Sequence, residues 1–145
     1  MTDALKLGFG LFTAPAKLAA TGVLIVFCDD GLKFGPATTK ALGSASGVVA
    51  RAAKAERFTG KSGKSLELAV PEGLKVARLV VIGIGKVADL KPNDFLKLGG
   101  SAMGRLPKSA AEAVVFAELP KGAMNATQAA DLAQGATLRA YEFDR

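Results

Sequence analysis

The chain has no histidine and no tryptophan, and one cysteine and one tyrosine in 145 residues. Without histidine the usual zinc ligand and the commonest general base are missing, and a single cysteine excludes a disulfide within the chain. A cysteine nucleophile needs a base beside it. Cys28 ends the apolar run Val23-Leu24-Ile25-Val26-Phe27, so a buried structural thiol is expected there. The longest apolar runs are strand-sized, well short of the ~20 residues of a membrane-spanning helix. No membrane partner is expected. Asp3 and Lys6 interrupt the start where an apolar leader would lie, which makes a cytoplasmic location the expectation.

Half of the residues are hydrophobic and 22% are charged, with a formal net charge of +6. That balance fits an ordinary folded domain and is too apolar for disorder. A chain of this size can bury roughly 68–70% of its unfolded surface, enough for one core without disulfide or metal staples.

Loose alternation over Leu5–Phe12, closed by Pro15, predicts a first strand. Val23–Cys28 is continuously apolar, the pattern of a strand buried on both faces, with Asp29-Asp30-Gly31 as its turn. Helical spacing follows from Ser44 to Arg57, with Ala45, Val48, Val49 and Ala52 inward and Arg51, Lys54 and Arg57 outward. Leu66–Val70, ended by Pro71, Val76–Ile84 and Ala113–Ala117 read as further strands.

A helix is expected from Asn93 to Leu106. Its broad apolar arc contains Phe95, Leu96, Leu98, Gly99, Ala102, Met103 and Leu106 and implies close packing on a sheet, where the small Gly99 should let the helix approach the strands closely. Lys91 before Pro92 is a poor N-cap. The last helix has a clearer start, because Asn125 and Gln128 have capping-box spacing. There Leu132, Ala136 and Phe143 share a face, whereas Leu138 and Tyr141 fall opposite, a patch that suits either local contact with a neighbouring loop or a candidate interface. Strands alternating with helices predict an α/β sandwich with a mixed, mainly parallel sheet.

Two glycine-rich segments invite a phosphate-binding reading. Lys61-Ser62-Gly63-Lys64-Ser65 resembles a P-loop, but Phe58 occupies the first required glycine position and a strand follows where a helix is needed. A turn into a strand is the better reading. Gly83-Ile84-Gly85-Lys86-Val87-Ala88 nearly matches a dinucleotide fingerprint, yet Pro92 delays the helix and no acidic residue stands at the right distance. Tight exit from a buried strand explains these glycines more simply, with a nucleotide-binding loop at Gly83, Gly85 and Lys86 as the alternative. No catalytic residue is assigned. No metal site is assigned either, since Asp29 and Asp30 form the only adjacent acidic pair and neighbours in a turn diverge. Residues 51 to 64 carry Arg51, Lys54, Arg57, Lys61 and Lys64 against Glu56, a local +4. Such a patch suits either a solvated basic face or contacts to nucleic-acid phosphates. No recognition helix or RNA-binding motif accompanies it.

Leu79-Val80-Val81-Ile82-Gly83-Ile84-Gly85-Lys86, together with Gly135-Ala136-Thr137-Leu138-Arg139-Ala140-Tyr141-Glu142-Phe143-Asp144-Arg145, resembles the leucyl aminopeptidase family. Phe58-Thr59-Gly60-Lys61 and the stretch from Leu90 to Leu106 follow the same order, so the resemblance spans the chain. It implies a three-layer α/β/α, macro-domain-like fold for residues 1–145 as a single N-terminal accessory domain, and the macro-domain likeness makes a stand-alone module binding ADP-ribose at the Gly83, Gly85 and Lys86 loop the alternative. A C-terminal catalytic domain with two divalent ions, zinc or manganese, would then follow and release N-terminal amino acids from peptides. The resemblance also implies a cytoplasmic homo-hexamer whose subunits and catalytic domain are the partners of this one. Some members bind DNA, which makes DNA a further partner to consider. The family's metal and bicarbonate motifs lie beyond the stretch that ends here, so none is carried over to a residue of this chain.

Overall fold

In the computed structural model, residues 6–10, 22–69, 76–105 and 112–143 are described. The elements are β1 (Lys6–Gly10), β2 (Val23–Cys28), α1 (Pro36–Leu42), α2 (Ala45–Glu56), β3 (Ser65–Ala69), β4 (Arg78–Gly83), α3 (Pro92–Gly104), β5 (Glu112–Phe116), β6 (Glu118–Leu119), β7 (Gly122–Ala123) and α4 (Ala126–Phe143). The main sheet runs β1-β5-β2-β4-β3. Its first four strands are parallel and β3 joins antiparallel at the edge, with Glu67 opposite Val80.

Side-chain alternation on buried strands generates the layers. Val23, Ile25 and Phe27 of β2, with Val80 and Ile82 of β4, enter a core shared with Phe95 and Ala102 of α3 and Leu132 of α4. Leu24, Val26 and Cys28, with Leu79 and Val81, enter the opposite core beside Leu42, Val49 and Ala53 of α1 and α2. Helices therefore cover both sheet faces, as expected from the continuous apolar runs. Each such buried Val, Leu, Ile or Phe contributes about 1.5–3 kcal/mol, so the central strands are where most of the stabilising area lies.

The expected strands and long helices are found with small boundary shifts. Leu5, Leu11, Phe12, Pro15, Val70, Pro71 and Leu106 lie outside the described residues. In α2, Ala53 is buried, whereas Val48 and Ala52 are half-buried. Asn125 and Gln128 do exchange hydrogen bonds: the Gln128 N–H donates to Asn125 Oδ1 (2.8 Å) and the Asn125 N–H to Gln128 Oε1 (3.0 Å). At the start of α3 it is Asp94 that compensates for the weak cap, its Oδ2 accepting the Lys91 N–H at 2.8 Å.

Gly99 acts differently from the expectation. A Cβ there would overlap the carbonyl oxygen of Leu132 and lie 2.7 Å from Ala136 N, so the close approach is to α4 and not to the strands. Gly135 is its counterpart, since a Cβ there would overlap Leu96 O. The two helices thus cross on a pair of glycines, each receiving a carbonyl of the other.

Two elements were not anticipated from the sequence. Helix α1 begins with Pro36 and has no side-chain cap of its own. Its first N–H groups are satisfied by Glu118, whose carboxylate accepts from Ala37 N–H (2.9 Å) and Thr38 N–H (2.7 Å). The β6–β7 hairpin turns at Pro120-Lys121 and carries that glutamate, 6% exposed, to the helix end.

Candidate functional site

Strand β4 opens into Gly83-Ile84-Gly85 at the C-terminal end of the parallel strands, where ligand crevices of α/β sheets normally lie. A phosphate cradle would need free backbone N–H groups at this point. Here the donors turn inward: Gly83 N–H bonds Lys64 O (2.8 Å), Ile84 N–H bonds Cys28 O (2.9 Å) and Gly85 N–H bonds Gly60 O (3.0 Å). Asp30 N–H then donates to Gly85 O at 3.1 Å. The glycines are required by close packing, because a Cβ on Gly83 would overlap the backbone of Gly60 and Lys61, while Gly85 has φ +72°. Arg105 holds the same packed loop from the other side, its Nη2 donating to Gly63 O at 3.3 Å.

A crevice of about 410 Å³ remains beside this loop, and Gly83, Gly85 and Lys86 all line it. Lys61, Lys86 and Lys97 share it with Asp30, Asp89 and Asp94, so its charge is mixed. The three carboxylates do not form a metal centre: among the described residues no three His, Cys, Asp or Glu groups converge to hold an ion. The described residues of this crevice do not fit the two divalent ions implied by the resemblance. Asp29 bends back on its own turn, its Oδ1 accepting Gly31 N–H and Lys33 N–H, each at 2.9 Å.

The basic segment divides. Arg57, Lys61 and Lys64 line one groove of about 830 Å³ between α2 and β3, together with Glu56 and Glu67. Arg51 and Lys54 are exposed on α2 outside that lining. The sequence already set Glu56 among the five cations; the structure adds Glu67, which reaches the groove from β3.

Cys28 is fully buried between strand and loop, and burial, followed by the Asp29 carboxylate, pushes its thiol up to about 12. A thiol held neutral is inert at ordinary pH. Among the described residues, the large hydrophobic side chains exposed to solvent are Leu96 (39%) on α3, which thus leaves the packed arc expected for it, and Leu138 (52%) on α4. They flank the glycine crossing, because Leu96 O packs against Gly135 and Leu138 lies one turn beyond it. The Tyr141 side chain lies outside the described residues. No described helix is long and apolar enough to cross a membrane.

Residues 25–145 match the model of the cytosol aminopeptidase family, N-terminal domain. The chain belongs to the cytosol aminopeptidase family. A "Probable cytosol aminopeptidase" of Rhodopseudomonas palustris (strain BisB5) is 57% identical over the full 145 residues, and one of Nitrobacter winogradskyi is 50% identical over the same length. The chain spans 28% of the length of each of those relatives. Its fold is also that of the corresponding part of a solved tomato leucine aminopeptidase mutant, with TM-score 0.65 and 22% identity, covering 96% of this chain and 29% of that one.

Proposed function

We propose that this chain is the non-catalytic N-terminal domain of a metal-dependent cytoplasmic aminopeptidase. The observation that carries the reading is the match over the whole chain to relatives of which it spans only 28%. The lack of histidine and of a converging carboxylate set among the described residues agrees with chemistry supplied elsewhere in the polypeptide. In that reading two divalent ions, zinc or manganese, belong to the remaining part, where they would polarise a peptide carbonyl and activate water. The domain's work is then structural: it positions the catalytic part within a homo-hexamer and shapes access of peptides.

Leu96, Leu138 and Tyr141 are the proposed contacts of the α3–α4 face with that remaining part or with another subunit. The assay that tests the proposal compares this chain with the same chain joined to the rest of the Rhodopseudomonas palustris relative. Only the joined form should release leucine from a leucyl peptide with added Mn²⁺ or Zn²⁺. Leucine release by the isolated segment, growing with metal concentration, would refute the assignment.

A nucleotide-binding reading at Gly83, Gly85 and Lys86 has less support, because the donors that would hold a phosphate already bond the chain's own carbonyls. DNA contacts through Arg51, Lys54, Arg57, Lys61 and Lys64 also rank lower, since Glu56 and Glu67 stand among the cations of the groove.

A further inference from the structure

We infer that the groove along β3 is a docking site for an extended acidic protein segment, which adds to the main sheet as a further strand. Strand β3 is the last in the sheet order and, among the described residues, pairs with β4 alone. An edge strand leaves alternate N–H and C=O groups directed outward, and a second extended chain satisfies them by strand addition. Four consecutive β3 residues, Ser65 to Leu68, line the groove, so the cavity follows the strand itself.

The groove has the two further features that such recognition requires. Its lining offers an apolar contact at half-buried Leu68, backed by the buried side chains of Phe58 and Leu66. Exposed Arg57, Lys61 and Lys64 gather where β3 begins, and Lys64 immediately precedes the strand. These cations suit carboxylates at that end of the incoming segment. Glu67, further along, already has Arg78 at 3.8 Å.

A second copy of the chain fits less well. Antiparallel self-pairing about the middle of β3 would set Glu67 against Glu67, and like charges directly opposite are destabilising. A polyphosphate backbone is likewise disfavoured, because it has no alternating N–H and C=O groups to complete the ladder of β3.

The test uses the whole chain and four fluorescent probes. The first is an octapeptide of alternating valine and threonine with glutamate at each end. The second has lysine in place of glutamate, the third has proline at every second position, and the fourth is single-stranded oligothymidylate. The glutamate probe should bind saturably, slow hydrogen exchange at the amides of Ser65–Ala69, and lose about tenfold in affinity on combined Lys61→Glu and Lys64→Glu substitution. The lysine and proline probes should bind at least about tenfold more weakly. Equal binding of the proline probe would overturn the inference, since it cannot pair with a strand. So would absence of saturable binding by the glutamate probe, binding of oligothymidylate alone, or a dimer in sedimentation that protects β3.

Discussion

A methyl group separates two opposite outcomes at the helical glycines. At Gly99 or Gly135 an alanine Cβ would overlap a carbonyl oxygen of the facing helix, and backbone cannot rotate aside as a side chain can. The expected cost is about 1–3 kcal/mol for overpacking, which exceeds the ~0.5–1 kcal/mol that alanine gains in helix propensity. Gly47→Ala in α2 is the control, because its Cβ would meet only Arg51 Nη1 at 3.8 Å. Thermal unfolding should show Gly99→Ala and Gly135→Ala destabilised and Gly47→Ala stabilised. At Glu118, substitution by Gln keeps the size but loses the charge and sets an amide that donates near two N–H donors. A loss of about 1–3 kcal/mol is expected by urea titration. Cys28 gives a pH signature: its thiol, about 12 when folded, ionises near 9.0 once unfolded. The unfolded chain therefore binds fewer protons between these values, and stability falls as pH rises from about 9 to 12. Cys28→Ala should remove this part of the alkaline decline, measured by unfolding across that range.

Helix starts show how far local sequence can be read. Asn125 and Gln128 lie three residues apart, so the reciprocal cap of α4 was legible, and Asn125→Ala should cost about 1 kcal/mol by urea titration. Helix α1 was illegible for the opposite reason. Its cap is Glu118, eighty residues away, and no local window joins the two. The hairpin presenting that residue has strands of two residues, too short for any periodicity. Apolar spacing identified the helical faces of α3 and α4, yet it could not reveal that glycine 99 faces a helix backbone instead of the sheet. The glycine loop after β4 was legible as a tight strand exit, but its hydrogen bonds to residues 28, 60 and 64 depend on how three distant loops meet. Glu67 entered the basic groove unannounced because it comes from β3, outside the sequence window in which Glu56 is already counted against the cations.

On the scale of the whole molecule, the double-sided burial of β2 and β4 followed from continuous apolar runs, and with it the layered α/β fold. Family membership rested on motifs together with the full-length match, whereas partners were not written in any spacing. The fold provides a stable sheet with both faces covered and no described carboxylate cluster suited to a metal. The central proposal, carried by the match over the full chain to relatives of which it spans 28%, is a division of labour between this domain and a catalytic part. Its most direct test is release of leucine from a leucyl peptide by the purified 145-residue chain, before and after addition of Mn²⁺ or Zn²⁺. The account predicts a folded protein with no metal-dependent release, whereas turnover that rises with metal and copurifies with the chain would contradict it.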